Sequence, residues 1–508
     1  MSDLALVNGR VITMNPAQPA AEAVLARAGR IAHVGSTAEV ASLRAAPAET
    51  IDLRGRVVLP GFIDTHVHLT STGLAKQGPF LDDCRSIPEV LARLKGYPYG
   101  QKTIFRAAGL DISCLEENRF PTRWELDEVF GDHLAYVVSR EGHAGIVNSR
   151  TLAYLSLPED VPGLDRDQTT GAPNGVLRSL AWEMTAQKIT PLFDIDGWFA
   201  DLPAVMEDAL RVGITTIHAL DGGWVADMVY GYREMAPLKI VLYYQTMDVE
   251  DVLALGLPRI GGCLLVDGSL GPRTAALSEP YADDPFNYGV LYFTDEDLTS
   301  FVYRVHAAGL QLSMHAIGDR AIEQLITAYE SALAALPRPD HRHRIEHFGL
   351  ATPEQIRRAA RLGLHIAVQP AAVHVWGGEG NMLWQRLGPA RYKQASRLSA
   401  CLDAGIVAGG GSDSYVMPMN PLLGIQAAAN RGPDGLALDM YRAIALYTAA
   451  AARLAFEEGE KGSITPGRAA DFVVLEDDPF LVKRHEIKDI PVVTTIVDGE
   501  VKYAATGT

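Results

Sequence analysis

The middle of this chain alternates short apolar runs with helix-like stretches at a spacing of roughly 30 residues, and no other feature narrows its fold so far. Eight runs stand out: Phe62–His68, Ile214–Leu220, Ile240–Thr246, Cys263–Gly268, Gln311–Ala316, Arg344–Phe348, Leu364–Pro370 and Val407–Asp413. Strands separated by helices pair in parallel, and eight of them close naturally into a (β/α)8 TIM-type barrel. In such a barrel the C-terminal strand ends carry the active site. The connection after the first run is too long for one βα unit, so residues 70 to about 205 should form an insert or lid beside the strand ends. Short strands such as Thr103–Ala108 and Ala135–Ser139 fall inside it.

The two ends of the chain have a different rhythm. Leu4–Val7, Asn8-Gly9 and Val11–Thr13 have the pattern of a type I′ hairpin, because Asn-Gly tolerates two positive φ angles. Ala23–Ala26 with Ile31–Val34, and Ile51–Leu53 with Val57–Leu59, repeat it. The same grammar returns in Asp471–Leu475 and in Val493–Val497, Asp498-Gly499, Val501–Tyr503. One composite β-sandwich made of residues 1–60 and 462–508 is therefore expected, attached to an α/β barrel over 61–461.

Composition restricts the partners. With 48% apolar and 21% charged residues over 508 positions, the chain can build a large globular core. Its net charge of −17 disfavours nucleic acid and anionic membrane as partners. Arg442 and Arg453 interrupt the best candidate for a membrane-spanning run, and Met1 to Pro16 lacks the basic and apolar regions of a secretory signal. Four scattered cysteines (Cys84, Cys114, Cys263, Cys401) form no CxxC pair, which suits a reducing, cytoplasmic setting. A small-molecule substrate is expected, and a homodimer is the default assembly.

The chemistry gathers at strand ends. His66 and His68 are two apart at the end of an apolar run, so both imidazoles face one side of a strand. Two neutral imidazoles at a strand terminus suit a divalent cation such as zinc, although an isolated pair is as often structural. His315, His347 and Asp413 close three further runs, about one and two βα units apart. Five ligand-type residues at equivalent ends of four strands make a shared metal site the better reading.

These segments resemble the amidohydrolase superfamily of metal-dependent hydrolases. The carriers are His-x-His after Pro60-Gly-Phe-Ile-Asp64, the two later histidines, and Gly411-Ser-Asp413. Asp267-Gly-Ser-Leu-Gly-Pro-Arg-Thr-Ala-Ala276, His315-Ala-Ile-Gly-Asp319 and Arg344-Ile-Glu-His347 are similar to its YtcJ-like branch, amidohydrolase family 3. The resemblance runs from about residue 3 to residue 503. It implies a (β/α)8 barrel, a composite β-sandwich, and hydrolysis of a C–N bond in an amide, N-acyl, N-formyl or cyclic amide compound. His66, His68, His315 and His347 match the family's metal ligands, for one or two divalent cations, zinc foremost. Asp413 matches its catalytic aspartate, which also touches metal and acts as general base, then general acid.

Two departures stand out. The branch carries a metal-bridging carboxylated lysine four residues before Asp-Gly-Ser, where this chain has Cys263. A thiolate there either ligates metal or is an inert buried residue. Loss of the lysine leaves open a mononuclear deaminase-like site. The second is Ser179, near which relatives carry a glutamate; the nearest carboxylate here is Glu183. A catalytically silent scaffold is a further alternative, and the complete ligand set speaks against it.

Other residues are candidates for shaping the pocket. His143 in Arg140-Glu-Gly-His143 is expected to donate to a substrate carbonyl. His218 ends the second run as pocket lining or hydrogen-bonded core. Gln369, His374 and Trp376 follow the seventh, where loops set specificity. Arg273 is read as a substrate-carboxylate contact or an ion pair, and Asp319 as a group fixing a ligand imidazole from behind or a helix cap.

Overall fold

In the computed structural model of the chain, residues 3–505 are described, except 45–48, 99, 101, 223–230, 431 and 434. The eight expected runs form one parallel sheet: β1 (Phe62–Val67), β2 (Ile214–Asp221), β3 (Lys239–Tyr244), β4 (Arg259–Leu265), β5 (Gln311–Ala316), β6 (Arg344–His347), β7 (His365–Val368) and β8 (Ala408–Gly410). Each strand pairs with the next in sequence. Every residue of β1, β2 and β5 is buried, the polar ones included, because both faces of a parallel strand are covered.

The connecting helices are bounded by local chemistry. Pro353–Leu362, between β6 and β7, starts at Thr352, whose hydroxyl accepts from the Gln355 amide while the Gln355 side chain reaches back to the Thr352 amide. It stops at Gly363.

The barrel closes between β8 and β1, at the end where the candidate residues lie. The Asp413 amide donates to the His66 carbonyl at 2.8 Å and the His68 amide to the Ser414 carbonyl at 3.1 Å. The Ser412 amide donates to Asp64 Oδ1 at 2.9 Å. The seam is tight enough that a Cβ on Gly411 would stand 2.6 Å from the His66 Cβ.

The insert after β1 builds its own five-stranded sheet, in the order Leu164–Arg166, Pro173–Arg178, Ala144–Val147, Leu134–Ser139 and Ile104–Leu110. The helix Ile195–Arg211 then leads back to β2, anchored by Trp198, whose indole N–H donates to the Thr70 carbonyl at 3.0 Å.

The two chain ends share a six-stranded sheet, in which Val57–Pro60 pairs antiparallel with Phe472–Leu475. A four-stranded sheet of Arg30–Gly35, Ala23–Arg27, Leu4–Val7 and Glu49–Asp52 faces it across a common core that includes Leu4, Leu6, Val11, Val58 and Phe472. The expected hairpin at Asn8-Gly9 does not form. Leu4–Val7 pairs with Ala23–Arg27 and Glu49–Asp52, whereas Arg10–Ile12 pairs with Val57–Pro60 and Ala20–Ala21. Asn8, at φ 59°, carries the chain across the core from one sheet to the other. Glu49–Asp52 and Val57–Pro60 are divided in the same way. The hairpins Ala23–Arg27 with Arg30–Gly35 and Val492–Val497 with Glu500–Ala504 form as expected. Among the described residues, no helix is long and apolar enough to cross a membrane.

Candidate metal centre

His66, His68, Cys263, His315, His347 and Asp413 converge at the C-terminal mouth of the barrel. Three overlapping triads have donor atoms within 4.8 Å of one another: His66, His68 and Cys263; Cys263, His315 and His347; His66, His347 and Asp413. Cys263 belongs to two of them. Its Sγ lies 3.7 Å from His315 Nδ1 and 3.9 Å from His347 Nε2. A bulge aims it there: Gly261 and Gly262 take φ of 94° and 57°, and the pairing of β4 with β5 slips between Ile260 and Leu264. His347 and Asp413 themselves sit at left-handed φ angles of 69° and 58°, uncommon for residues with a Cβ and typical of functional sites.

Each imidazole is held from behind, which decides the nitrogen it turns inward. His66 Nδ1–H donates to Glu346 Oε2 at 2.6 Å, and His68 Nδ1–H to the Leu220 carbonyl at 3.0 Å. His315 Nε2–H donates to the Gly268 carbonyl at 3.1 Å, and His347 Nδ1–H to Gln369 Oε1 at 2.7 Å. The inward atoms are thus Nε2 of His66, His68 and His347, and Nδ1 of His315. Asp413 Oδ1 lies 3.3 Å from both His66 Nε2 and His68 Nε2.

The electrostatics favour positive charge at this point. Burial disfavours an ionised Cys263, yet His66, His315 and His347 hold the thiol well below its usual range. Burial likewise opposes charge on Asp413, and His66 and His68 hold its carboxyl down. Against its own burial, His68 is raised to about 10 by Asp413 and Cys263, and His315 to about 10 by Asp267 and Cys263. Four inward ring nitrogens, one thiolate and one carboxylate within a few ångströms form a donor set that fits one or two divalent cations of the zinc class.

His143 projects from the insert, between Leu134–Ser139 and Ala144–Val147, with its ring 5.1 Å from that of His315. Its Nδ1 is buried without a hydrogen-bond partner, and burial together with His315 lowers its pKa to about 3. Its imidazole is therefore neutral near pH 7.

Two cavities flank the centre. A narrow one of about 110 Å³ lies on the His347, Asp413 and His143 side, walled by Leu270, Ile317 and Trp376. A wider one of about 660 Å³ opens beside His68, between the barrel and the insert.

Several candidates land elsewhere. His218 is buried inside the barrel, where its Nδ1 accepts from Arg344 Nη1 at 3.2 Å, so it is core and not pocket. Arg273 forms a two-pronged ion pair with Asp283 at 2.9 and 3.1 Å. His374 is exposed and lines a separate outer cavity. Asp319 opens the helix Asp319–Ala335 and accepts from Ser278, touching no candidate ligand. Gln369 and Trp376 do border the narrow cavity. Gln369 holds His347, and the Trp376 indole N–H donates to Asp111 at 2.9 Å. Glu346 and Asp267 perform the task expected of Asp319: Asp267 Oδ1 stands 3.4 Å from His315 Nε2 and accepts from the Ile317 amide. Both lie inside the motifs quoted above, and the signal was an acid one residue from a ligand or one strand away from it.

Comparison with known proteins agrees with this geometry. The sequence profile of the amidohydrolase family matches residues 49–503. The chain is 29% identical to YtcJ of Bacillus subtilis strain 168, covering 97% of this chain and 98% of that protein. It is 28% identical to the N-substituted formamide deformylase of Arthrobacter pascens, over 100% and 99% of the two chains. The crystal structure of an uncharacterised metal-dependent hydrolase from Pyrococcus horikoshii OT3 superposes with a TM-score of 0.77 at 26% identity, covering 95% of this chain and 99% of that one. The barrel, its mouth of pinned histidines and the nearly full-length sequence match lead to one conclusion: this chain belongs to the amidohydrolase family.

Proposed function

We propose that this protein hydrolyses a C–N bond in a small amide, N-acyl, N-formyl or cyclic amide compound, with two divalent cations held at the barrel mouth. The observation that carries this reading is the set of inward-facing nitrogens, each fixed by a partner behind it, around a shared Cys263 Sγ. His66 and His68 would hold one cation and His315 and His347 the other, with Cys263 common to both and Asp413 beside the first. The relationship to a formamide deformylase supports the bond type.

Bound there, a zinc-class cation lowers the pKa of a water and polarises an amide carbonyl. In this reading Asp413 moves the proton, supported by its Oδ1 facing His66 and His68 and its side chain bordering the narrow cavity. The carboxylate accepts a proton from the attacking water and delivers it to the departing nitrogen. His143, neutral and with an unsatisfied ring nitrogen, orients the carbonyl by a hydrogen bond. The apolar walls of the narrow cavity exclude bulk water from this exchange.

The test is a panel of N-formyl, N-acyl and cyclic amides assayed with zinc-reconstituted protein, before and after chelation. Turnover that disappears with the metal and returns with it is expected. Asp413→Asn should lower kcat by about a thousandfold or more while metal stays bound. Full activity in that variant, or no metal-dependent turnover across the panel, would overturn the reading.

A further inference from the structure

The wide cavity contains a guanidinium that faces no counter-charge among the described residues. Arg106 stands on the insert strand Ile104–Leu110, and its Nη1 is buried without a hydrogen-bond partner. Among the described residues its side chain makes no hydrogen bond and no ion pair, and the only titratable groups it senses are the phenols of Tyr415 and Tyr136. Its neighbours are treated differently. Arg140 and Arg178, from the same part of the insert, face Asp111 and Asp165, and the fully buried Arg344 is paired with Glu346. An arginine cannot shed its charge, so one whose buried end is left unpaired is either a liability or a receptor.

The surroundings favour a receptor. The Tyr415 and Phe193 rings lie 5.7 and 6.0 Å from the guanidinium carbon and shield it, and neither side chain accepts a hydrogen bond from it. Among the described residues Asp221 is the one carboxylate on the wall of this cavity, and both its oxygens are occupied by Leu69 and Thr70. At its other end the cavity reaches His68, and Tyr415 is two residues beyond Asp413. A molecule with its reacting bond at the histidines therefore extends toward Arg106. The narrow cavity has the opposite character: its polar lining includes the Asp413 carboxylate, which repels an anion, and most of its wall is apolar.

On the premise that the chain is the hydrolase proposed above, we infer that its substrate carries a carboxylate which Arg106 binds in the wide cavity, with the uncharged part of the molecule in the narrow one. Arginine's planar fork matches a carboxylate in two parallel hydrogen bonds, a geometry lysine lacks.

Matched probes test this on the metal-reconstituted full chain: N-formylphenylalanine against N-formylphenylalaninamide, and the corresponding N-acetyl pair. Within a pair, kcat/KM should favour the acid by at least about tenfold, carried mainly by KM. Arg106→Met should bring the ratio close to one, and Arg106→Lys should retain part of it. Calorimetric binding of the same probes to the Asp413→Asn protein gives the preference without turnover, and metal content and melting temperature verify that each variant is folded. Equal use of acid and amide, or a preference that survives Arg106→Met, overturns the inference and leaves the hydrolase reading standing. Metal-dependent turnover of neutral amides alone has the same consequence. If no amide at all is hydrolysed, the hydrolase reading fails, and the binding ratio still decides the role of Arg106.

Discussion

His66 Nδ1 and Glu346 Oε2 meet at 2.6 Å with both side chains fully buried. Glu346 is also held by Arg344 at 2.7 Å and by the Ser313 hydroxyl, so one carboxylate joins a candidate ligand to the charge network inside the barrel. Burial works against its ionisation, and Arg344 with His66 holds its pKa down. Glu346→Gln should weaken zinc affinity by roughly 10- to 100-fold. It should also cost roughly 3–5 kcal/mol of stability, because Arg344 loses its counter-charge. Competitive zinc titration and denaturant melts measure the two effects; unchanged zinc affinity would mean that His66 needs no anchor.

Cys263 joins two triads, so its removal should be felt at both. Cys263→Ala is expected to reduce bound metal from about two cations per chain to one or fewer, and to weaken the remainder, since thiolate is a strong zinc donor. Elemental analysis after dialysis reads the number directly. Stoichiometry and affinity equal to those of the unmodified protein would take Cys263 out of the donor set.

Glu141 provides a pH signature. Burial, with Asp111 nearby, pushes its carboxyl up from 4.5 to about 7. The folded protein therefore keeps a proton that the unfolded chain releases at lower pH. The stability this contributes is complete below 4.5 and is lost as pH rises through 7. Glu141→Gln removes the cost of charging that site. Its stability advantage should grow between about pH 5 and about pH 8, reaching roughly 2–3 kcal/mol. Denaturant unfolding across that range tests it, and an advantage that does not change with pH would contradict it.

Gly411 lies where β8 meets β1. A Cβ there would stand 2.6 Å from the His66 Cβ and 2.7 Å from its backbone nitrogen, which cannot swing aside. Gly411→Ala should cost roughly 1–3 kcal/mol and, by moving His66, lower metal affinity as well. A variant with wild-type melting temperature and metal content would show that the seam is looser than its geometry implies.

What could be read in advance follows from where information resides. The barrel strands were legible because a strand covered on both faces carries apolar residues on both, although β1, β2 and β5 also bury polar residues such as Asp64, Thr216 and Ser313. The gathering of His66, His68, His315 and His347 was legible because strand ends are where such barrels carry chemistry. The pairing at Asn8-Gly9 was not: a turn signal reports that the chain bends, not which sheet receives the next strand. His218 and His315 look alike in sequence, each near a strand end, yet one meets Arg344 beneath the mouth and the other meets Cys263 in it. Arg106 had no local signature at all, since what distinguishes it is the lack of an acidic neighbour among the described residues, a property of three-dimensional surroundings.

The pairing of Val57–Pro60 with Phe472–Leu475 has a consequence for synthesis. About 400 residues must leave the ribosome before the earlier strand meets its mate, which at 5–20 residues per second is roughly 20–80 seconds. Until then one edge of Val57–Pro60 waits without that mate while the barrel grows behind it. The nascent polypeptide thus passes through a long interval in which its beginning has yet to be covered by its own late-arriving tail.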